Sequence, residues 1–307
     1  MGRPKLFLVP RTLPAVTIAS NRPVLVGIPW DASSSFQRGA AGAPSCIREA
    51  LWSPSTNTST ELGISIEPES LVDAGDVALS ADGAEARGAI EVAITGLLDR
   101  GAVPVSLGGD HSITYPVLRA FRRMGPLTIL HIDAHGDLYD RFPLPEPGDS
   151  VSSGDRYSHA CPFARIMEDG LCGRLVQVGI RTMTPHLLAQ AARFGVEVYG
   201  PDACAAAPVE ALEGPLYVSL DLDGLDPAFA PGVSHPEPGG LSVRDVIRLL
   251  HRVRAHIVGA DLVEYNPLND VRDLTARVAA KLLKELLAVR VRNGSAQAQH
   301  GRRSAPP

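Results

Sequence analysis

Short, continuously apolar runs separated by longer amphipathic stretches set the tightest limit on what this chain can fold into. Residues 24–28, 103–107, 128–132, 175–180, 196–199, 216–220 and 257–263 read as strands, with 71–73 as a further short one. A strand with one wet face alternates apolar and polar residues. These mostly do not, which is the pattern of a parallel sheet covered on both faces. The intervening stretches carry helical stripes. In 84–98, Ile90, Ala93, Ile94, Leu97 and Leu98 share a face, and Gly101 follows as a stop. Segment 242–254 opens on Ser242 with Asp245 three residues on, a start resembling a capping box, and buries Val246, Leu249, Leu250 and Val253. A closing helix over 271–289 presents Val278, Leu282 and Leu286. Repeated strand–helix alternation predicts an α/β class, a three-layer α/β/α sandwich around a central, mostly parallel sheet.

One domain accommodates the pattern. Residues 1–23 are expected to be an N-terminal arm, 24–290 the domain, and 291–307 a disordered tail, because NGSAQAQHGRRSAPP has almost nothing to bury. The Pro-, Gly- and Ser-rich stretch 141–155 reads as a surface excursion. With 29 basic and 34 acidic residues the net charge is 29 − 34 = −5, and no basic block stands out, so nucleic acid is not an expected partner. No run of about 18 apolar residues exists, so no membrane span is expected. The cysteines, Cys46, Cys161, Cys172 and Cys204, lack metal-site spacing and read as free thiols of a reducing compartment. The acid-free N-terminal stretch is too short before the first strand to make a convincing import signal, so the expected location is cytoplasmic, with organellar import the weaker reading.

Three strands end in unusual clusters. They are Gly108-Gly109-Asp110-His111-Ser112, Asp133-Ala134-His135-Gly136-Asp137 and Asp221-Leu222-Asp223, with Asp226 a little further on. In open parallel sheets, ligands bind at the carboxyl ends of strands, so the three clusters belong to one edge. Taken alone, Asp110 fits a turn cap as well as a ligand, and Asp226-Pro227 fits a turn. Asp-x-His-x-Asp is harder to explain without a ligand. Side chains two apart in an extended chain lie on one side, and acceptors packed together resist desolvation unless a cation joins them. Asp133, Asp137, Asp221 and Asp223 bring four negative charges that two divalent cations cancel, and His111 and His135 add imidazole donors. A hydroxide between two such ions leaves about −1 and forms near neutral pH. Oxygen-rich ligation with imidazole and without thiolate favours Mn²⁺ over Cu(I) or structural Zn, while Fe, Co and Ni stay open.

These segments resemble the ureohydrolase family of arginases and agmatinases. Its signatures stand here as GGDHS (108–112), DAHGD (133–137), SLDLDGLDPAFAPG (219–232) and GADLVEYNP (259–267). SHACPFARIMEDG (158–170) and GVSHPEPGGLSVRD (232–245) resemble the plant-type arginase branch. The resemblance covers roughly residues 24–290 and implies an eight-stranded sheet and homotrimers or homohexamers. Position by position it implies that His111, Asp137, Asp133 and Asp221 hold one manganese. His135, Asp223, Asp133 and Asp221 would hold the other, with Asp133 and Asp221 bridging. It implies that His159 shuttles a proton and Glu264 holds a guanidinium. The reaction so implied is attack of a metal-bridging hydroxide on the guanidinium of a small guanidino substrate, giving urea and an amine. From the residues alone, His159 also fits an ordinary surface histidine, and Glu264 an acid paired to an arginine.

Substrate choice is less constrained. Animal-type arginases place an asparagine where this chain has Tyr139 and a threonine where it has His235; both replacements match the plant-type branch. The order expected is arginine, then agmatine, then a smaller guanidine. Two other classes remain. A phosphate or ester hydrolase needs cationic clamps near the metals, for which only Arg181 is placed. An inactive binding homologue would have lost ligands, yet all six positions are filled.

Overall fold

The computed structural model describes residues 21–143 and 154–303, with side chains through 294. Eight strands form one parallel sheet: β1 (Pro23–Ile28), β2 (Val72–Asp76), β3 (Val103–Gly108), β4 (Leu127–Ile132), β5 (Cys172–Val178), β6 (Glu197–Tyr199), β7 (Pro215–Asp221) and β8 (His256–Val263). Their spatial order is β2-β1-β3-β8-β7-β4-β5-β6. Each run read as a strand is one, within a few residues at its ends.

The helices are α1 (Ala43–Leu51), α2 (Gly83–Leu98), α3 (Thr114–Ala120), α4 (Pro162–Glu168), α5 (Pro185–Phe194), α6 (Val243–Arg252) and α7 (Leu274–Arg303). Alternate strand residues feed two cores. Leu25, Val105, Leu130, Val176, Val218 and Leu262 pack with α1, α6 and α7. Val24, Ile129, Leu175, Tyr217 and Val263 pack with α2 to α5. This is the three-layer sandwich expected, and it explains the unbroken apolar runs, since both faces of each central strand are dry. The start of α6 is a full capping box. Asp245 N–H donates to Ser242 Oγ (3.1 Å) and Ser242 N–H to Asp245 Oδ2 (3.0 Å).

Two boundaries need correction. The closing helix begins at Leu274 rather than 271, because Asp270 caps it, accepting from Thr275 and Ala276 N–H at 2.9 and 3.1 Å. It also continues to Arg303, through most of the stretch read as a disordered tail. The physical reason lies outside the tail's own composition. Asn293 is buried and its amide donates to Val253 O (3.2 Å) and Ala255 O (3.0 Å), tying the helix to the turn before β8. Residues 1–20 of the expected arm, 144–153 of the Pro-rich stretch and the last four residues lie outside the described residues. At the base of the Pro-rich stretch, Phe142 and Asp155 exchange N–H···O bonds of 2.9 and 3.0 Å. All four cysteines are free.

Candidate metal centre and pocket

The three strand-end clusters meet at one edge of the sheet, after β3, β4 and β7. His111 Nδ1 lies 3.1 Å from Asp133 Oδ2, 3.0 Å from Asp137 Oδ2 and 3.0 Å from Asp221 Oδ2. His135 Nδ1 lies 3.3 Å from Asp133 Oδ1 and 3.1 Å from Asp223 Oδ2. Asp133 thus turns one oxygen toward each histidine. Asp221 faces His111, and its other oxygen accepts Asp223 N–H at 2.7 Å. All six side chains are buried except that of His135, which is 29% exposed. Asp137 is held at φ 49°, a region non-glycine residues rarely occupy, so the surrounding packing over-determines its backbone.

The chain sets the tautomer of His111. Asp261 is wholly buried and accepts from three hydroxyls: Thr114 Oγ1 (2.9 Å), Tyr217 OH (2.8 Å) and Ser219 Oγ (2.6 Å). Ser219 has spent its only proton there, so at the 3.0 Å contact it accepts from His111 Nε2–H. In the neutral ring Nδ1 is then the lone-pair nitrogen, aimed at three carboxylates. Lone pairs so arranged repel unless a proton or a metal cation sits among them. Without a cation the proton fills that role. Burial disfavours a charged His111, but Asp133, Asp137 and Asp221 outweigh it and raise its pKa well above the ordinary value. Asp221 is pushed up in turn by burial and by Asp223 and Asp133. The residues fit a divalent cation: oxygen-rich, two imidazoles, no thiolate.

Asp133 has a similar support. Gln177 donates its amide to His131 Nδ1 (3.0 Å) and to Gly136 O (2.7 Å), so His131 Nε2–H donates to Asp133 Oδ2 at 2.7 Å. Burial keeps His131 on the neutral side, its pKa lowered. Sequence reasoning missed His131, Gln177, Ser219 and Asp261. They are register partners in one row across β8, β7, β4 and β5, which Ser106 on β3 extends. The signal was one polar residue interrupting each apolar strand. Such orienting partners are a regular feature of metal-ligating histidines and carboxylates.

Asp110 and Asp226 are not among the converging groups. Asp110 Oδ1 caps the turn after β3 by accepting from Ser112 N–H at 3.1 Å, and Oδ2 accepts from Ser33 N–H at 2.9 Å. Gly109 is required here, since a Cβ would meet Trp30 O at 1.7 Å. Asp226 accepts from Ala228, Gly239 and Gly240 N–H in a turn.

Glu264 and His159 lie together beside the cluster. Glu264 Oε1 accepts from His111 N–H (2.8 Å) and faces His159 Nδ1 (3.1 Å); Oε2 is buried without a partner. Glu264 also holds a positive φ, 62°. His159 does not titrate near neutrality as its residue type suggests. Burial alone would lower it, but Glu264 outweighs burial and takes it up to about 9.

The cavity over these groups has a volume of about 210 Å³. His135, Asp137, Asp221 and Asp223 form its floor, with Ser35, His159 and His235 also lining it. Tyr139, Phe142, Ala160, Thr182, Thr184 and Leu187 line the remainder. Tyr139 stacks on His186 with ring centroids 5.4 Å apart and planes 9° apart. No lysine or arginine is among the described residues that line it. Arg181 is committed elsewhere, donating to the carbonyls of Gly179, Asp223, Gly224, Leu225 and Glu237. It is therefore no phosphate clamp.

The arginase family model matches residues 21–288. The chain belongs to the arginase family. Arginase 1, mitochondrial, of Arabidopsis thaliana is 46% identical over 282 residues, covering 86% of this chain and 80% of that protein. The solved arginase from Medicago truncatula superposes with a TM-score of 0.81 at 42% identity, covering 88% of each chain. More distant is the mitochondrial agmatinase of Gallus gallus, 34% identical over 86% of this chain and 79% of that protein. Family membership makes this chain a hydrolytic amidinohydrolase. Among the described residues no helix is long and apolar enough to cross a membrane.

Proposed function

We propose that this protein is a binuclear manganese arginase, hydrolysing the guanidinium group of arginine to urea and ornithine. The observation that carries the reading is the bare His111 Nδ1 among three carboxylates, with His135 repeating the arrangement at the other oxygen of Asp133. His111, Asp137, Asp133 and Asp221 would hold one ion, and His135, Asp223, Asp133 and Asp221 the other. Bound there, divalent cations supply Lewis acidity that makes water a nucleophile at neutral pH. Two divalent cations and a hydroxide would leave this carboxylate floor at about −1; among the described lining residues there is no lysine or arginine, and Glu264 offsets the His159 charge, so the floor draws a guanidinium downward. Glu264 Oε2, buried and without a donor, accepts a guanidinium N–H and orients the planar head. The same carboxylate keeps a hydrogen on His159 Nδ1 and so favours the imidazolium, the store from which the leaving amine is protonated.

The likeness to plant arginases supports arginine. One observation favours agmatine as the second reading: among the described lining residues there is no lysine or arginine to pair an α-carboxylate, and Tyr139, Thr182 and Thr184 offer it hydroxyls. Parallel turnover of arginine, agmatine, guanidinobutyrate and guanidine by manganese-loaded protein, with urea as the readout, separates them. No urea from any of the four would end the proposal. A homotrimer or homohexamer belongs to the same proposal and is checked by light scattering. So does a cytoplasmic location. Because the plant relatives are named as mitochondrial proteins, import of the chain with and without residues 1–23 is the measurement that decides it.

A further inference from the structure

Three groups at the pocket mouth form a connection that the reading above does not use. Ser35 Oγ lies 2.9 Å from His159 Nε2 and 3.3 Å from His235 Nε2. With His159 Nδ1 on Glu264, the contacts run His235–Ser35–His159–Glu264 from the half-buried mouth to the buried wall. A hydroxyl has one proton, so Ser35 donates to one imidazole while accepting from the other. Ionised Glu264 only accepts, so His159 Nδ1 carries hydrogen. When His159 Nε2 is bare, it takes the Ser35 proton and Ser35 accepts from His235 Nε2–H. When His159 Nε2 is protonated, both bonds reverse.

Ser35 is exposed, yet the segment that carries it is strapped down on both sides. Asp110 Oδ2 accepts Ser33 N–H (2.9 Å), and His159 N–H donates to Ser33 O (3.2 Å). Trp30 Nε1–H donates to Ser33 Oγ (3.1 Å). Asp31 Oδ2 accepts from Gly39 N–H (2.7 Å) and Ala41 N–H (3.3 Å). None of these five bonds involves a proposed metal ligand. Their joint effect is to hold residue 35 over the two histidines.

We propose that Ser35 is a positioning residue which, with His235, completes a proton path between the pocket mouth and His159. In the inward step the His235 imidazolium gives its Nε2 proton to Ser35 Oγ as the Ser35 proton passes to His159 Nε2. One N–H and one O–H break, one O–H and one N–H form, and the positive charge moves from ring to ring. The inference rests on the hydrolysis proposed above. There a guanidinium and water become urea and an alkylammonium, with no net proton uptake. Both water protons end on the amine, but not at the same instant, so one is stored in between.

The test uses the full chain loaded with manganese and whichever guanidino compound the wild type turns over. In Ser35→Ala, kcat is expected to fall about 10-fold or more, as general acid–base steps allow, with metal content unchanged. KM should stay within about twofold, since no ground-state contact is removed. Ser35→Thr keeps the hydroxyl and restores the rate. Added imidazole recovers much of the loss in Ser35→Ala and leaves the wild type unchanged. A Ser35→Ala variant at the wild-type rate, or one whose lost rate imidazole does not recover, overturns the path. Imidazole ¹⁵N signals of His159 and His235, recorded without substrate, should shift together in Ser35→Ala. Unchanged signals refute the link even if no guanidino compound is hydrolysed, which keeps this failure separate from that of the proposed function.

Discussion

Replacing Ser219 by alanine tests the metal reading at a residue that touches no metal. The side chain is wholly buried, accepts from His111 Nε2–H at 3.0 Å and donates to Asp261 at 2.6 Å. Two consequences follow from its loss. A buried imidazole N–H is left without an acceptor, which costs about 1–3 kcal/mol of stability in the metal-free protein. The tautomer preference is also lost: metal-free His111 holds a proton among the three carboxylates in either chain, but without Ser219 no acceptor keeps the remaining proton on Nε2 when a metal displaces the one at Nδ1. Loss of such an orienting partner typically weakens metal binding about 10- to 100-fold, which is about 1.4–2.8 kcal/mol. Calorimetric titration of metal-stripped wild type and variant with Mn²⁺ reads the affinity, and melting in chelator reads the stability. If Ser219→Ala melts lower in chelator yet binds Mn²⁺ as tightly as the wild type, the serine only packs, and the tautomer argument is wrong.

Three further outcomes are expected. Asp133→Asn should lose metal from both positions, because its two oxygens face His111 and His135 separately; elemental analysis that finds one position still filled contradicts the bridge. His159→Ala should lower kcat by roughly 10²–10⁴ with metal content retained; stopped turnover together with metal loss would instead make it a structural residue. Asp270→Asn concerns stability against pH. Burial raises the Asp270 pKa, but N–H groups of Thr275, Ala276 and Val271 and the Tyr265 hydroxyl outweigh it, so its folded value is lowered. A lowered carboxyl stabilises above its unfolded value of about 4 and loses that contribution as pH falls through the folded value. The gap in urea midpoint between wild type and variant should therefore be full at pH 7 and close in acid. A gap independent of pH would refute the assignment.

The sheet was legible because its strands are apolar on both faces, a pattern a half-wet strand does not imitate, and because the runs are too short for buried helices. The ligand clusters were legible because carboxylates two apart after an apolar run have few structural uses. What stayed hidden depends on neighbours far along the chain. Nothing in NGSAQAQH shows that Asn293 will close on the carbonyls of Val253 and Ala255, so composition ended the last helix too early. Asp110 sits within a ligand motif yet spends its oxygens on Ser33 and Ser112, a choice fixed by the approach of Trp30 to Gly109. His159 keeps its proton to about pH 9 because Glu264, more than one hundred residues away in sequence, is its neighbour.

The polar row shows most clearly why order in space had to come first. Asp261, Ser219, His131 and Gln177 are neighbours only because β8, β7, β4 and β5 are adjacent in that order. Within a strand, however, the relation of support to ligand is simple. His131 precedes Asp133 by two residues and Ser219 precedes Asp221 by two, so each pair shares a face by the pleat itself. Any register that presents the ligand to the edge places its support beneath it. A single-residue insertion at the start of β4, before Ile129, would turn His131 and Asp133 away together and carry Ile129, now in the core beneath α2 to α5, to the opposite face. The metal ligands and the hydrophobic core are thus specified by one register, and a chain that folds its sheet correctly has already built both the centre and the groups that orient it.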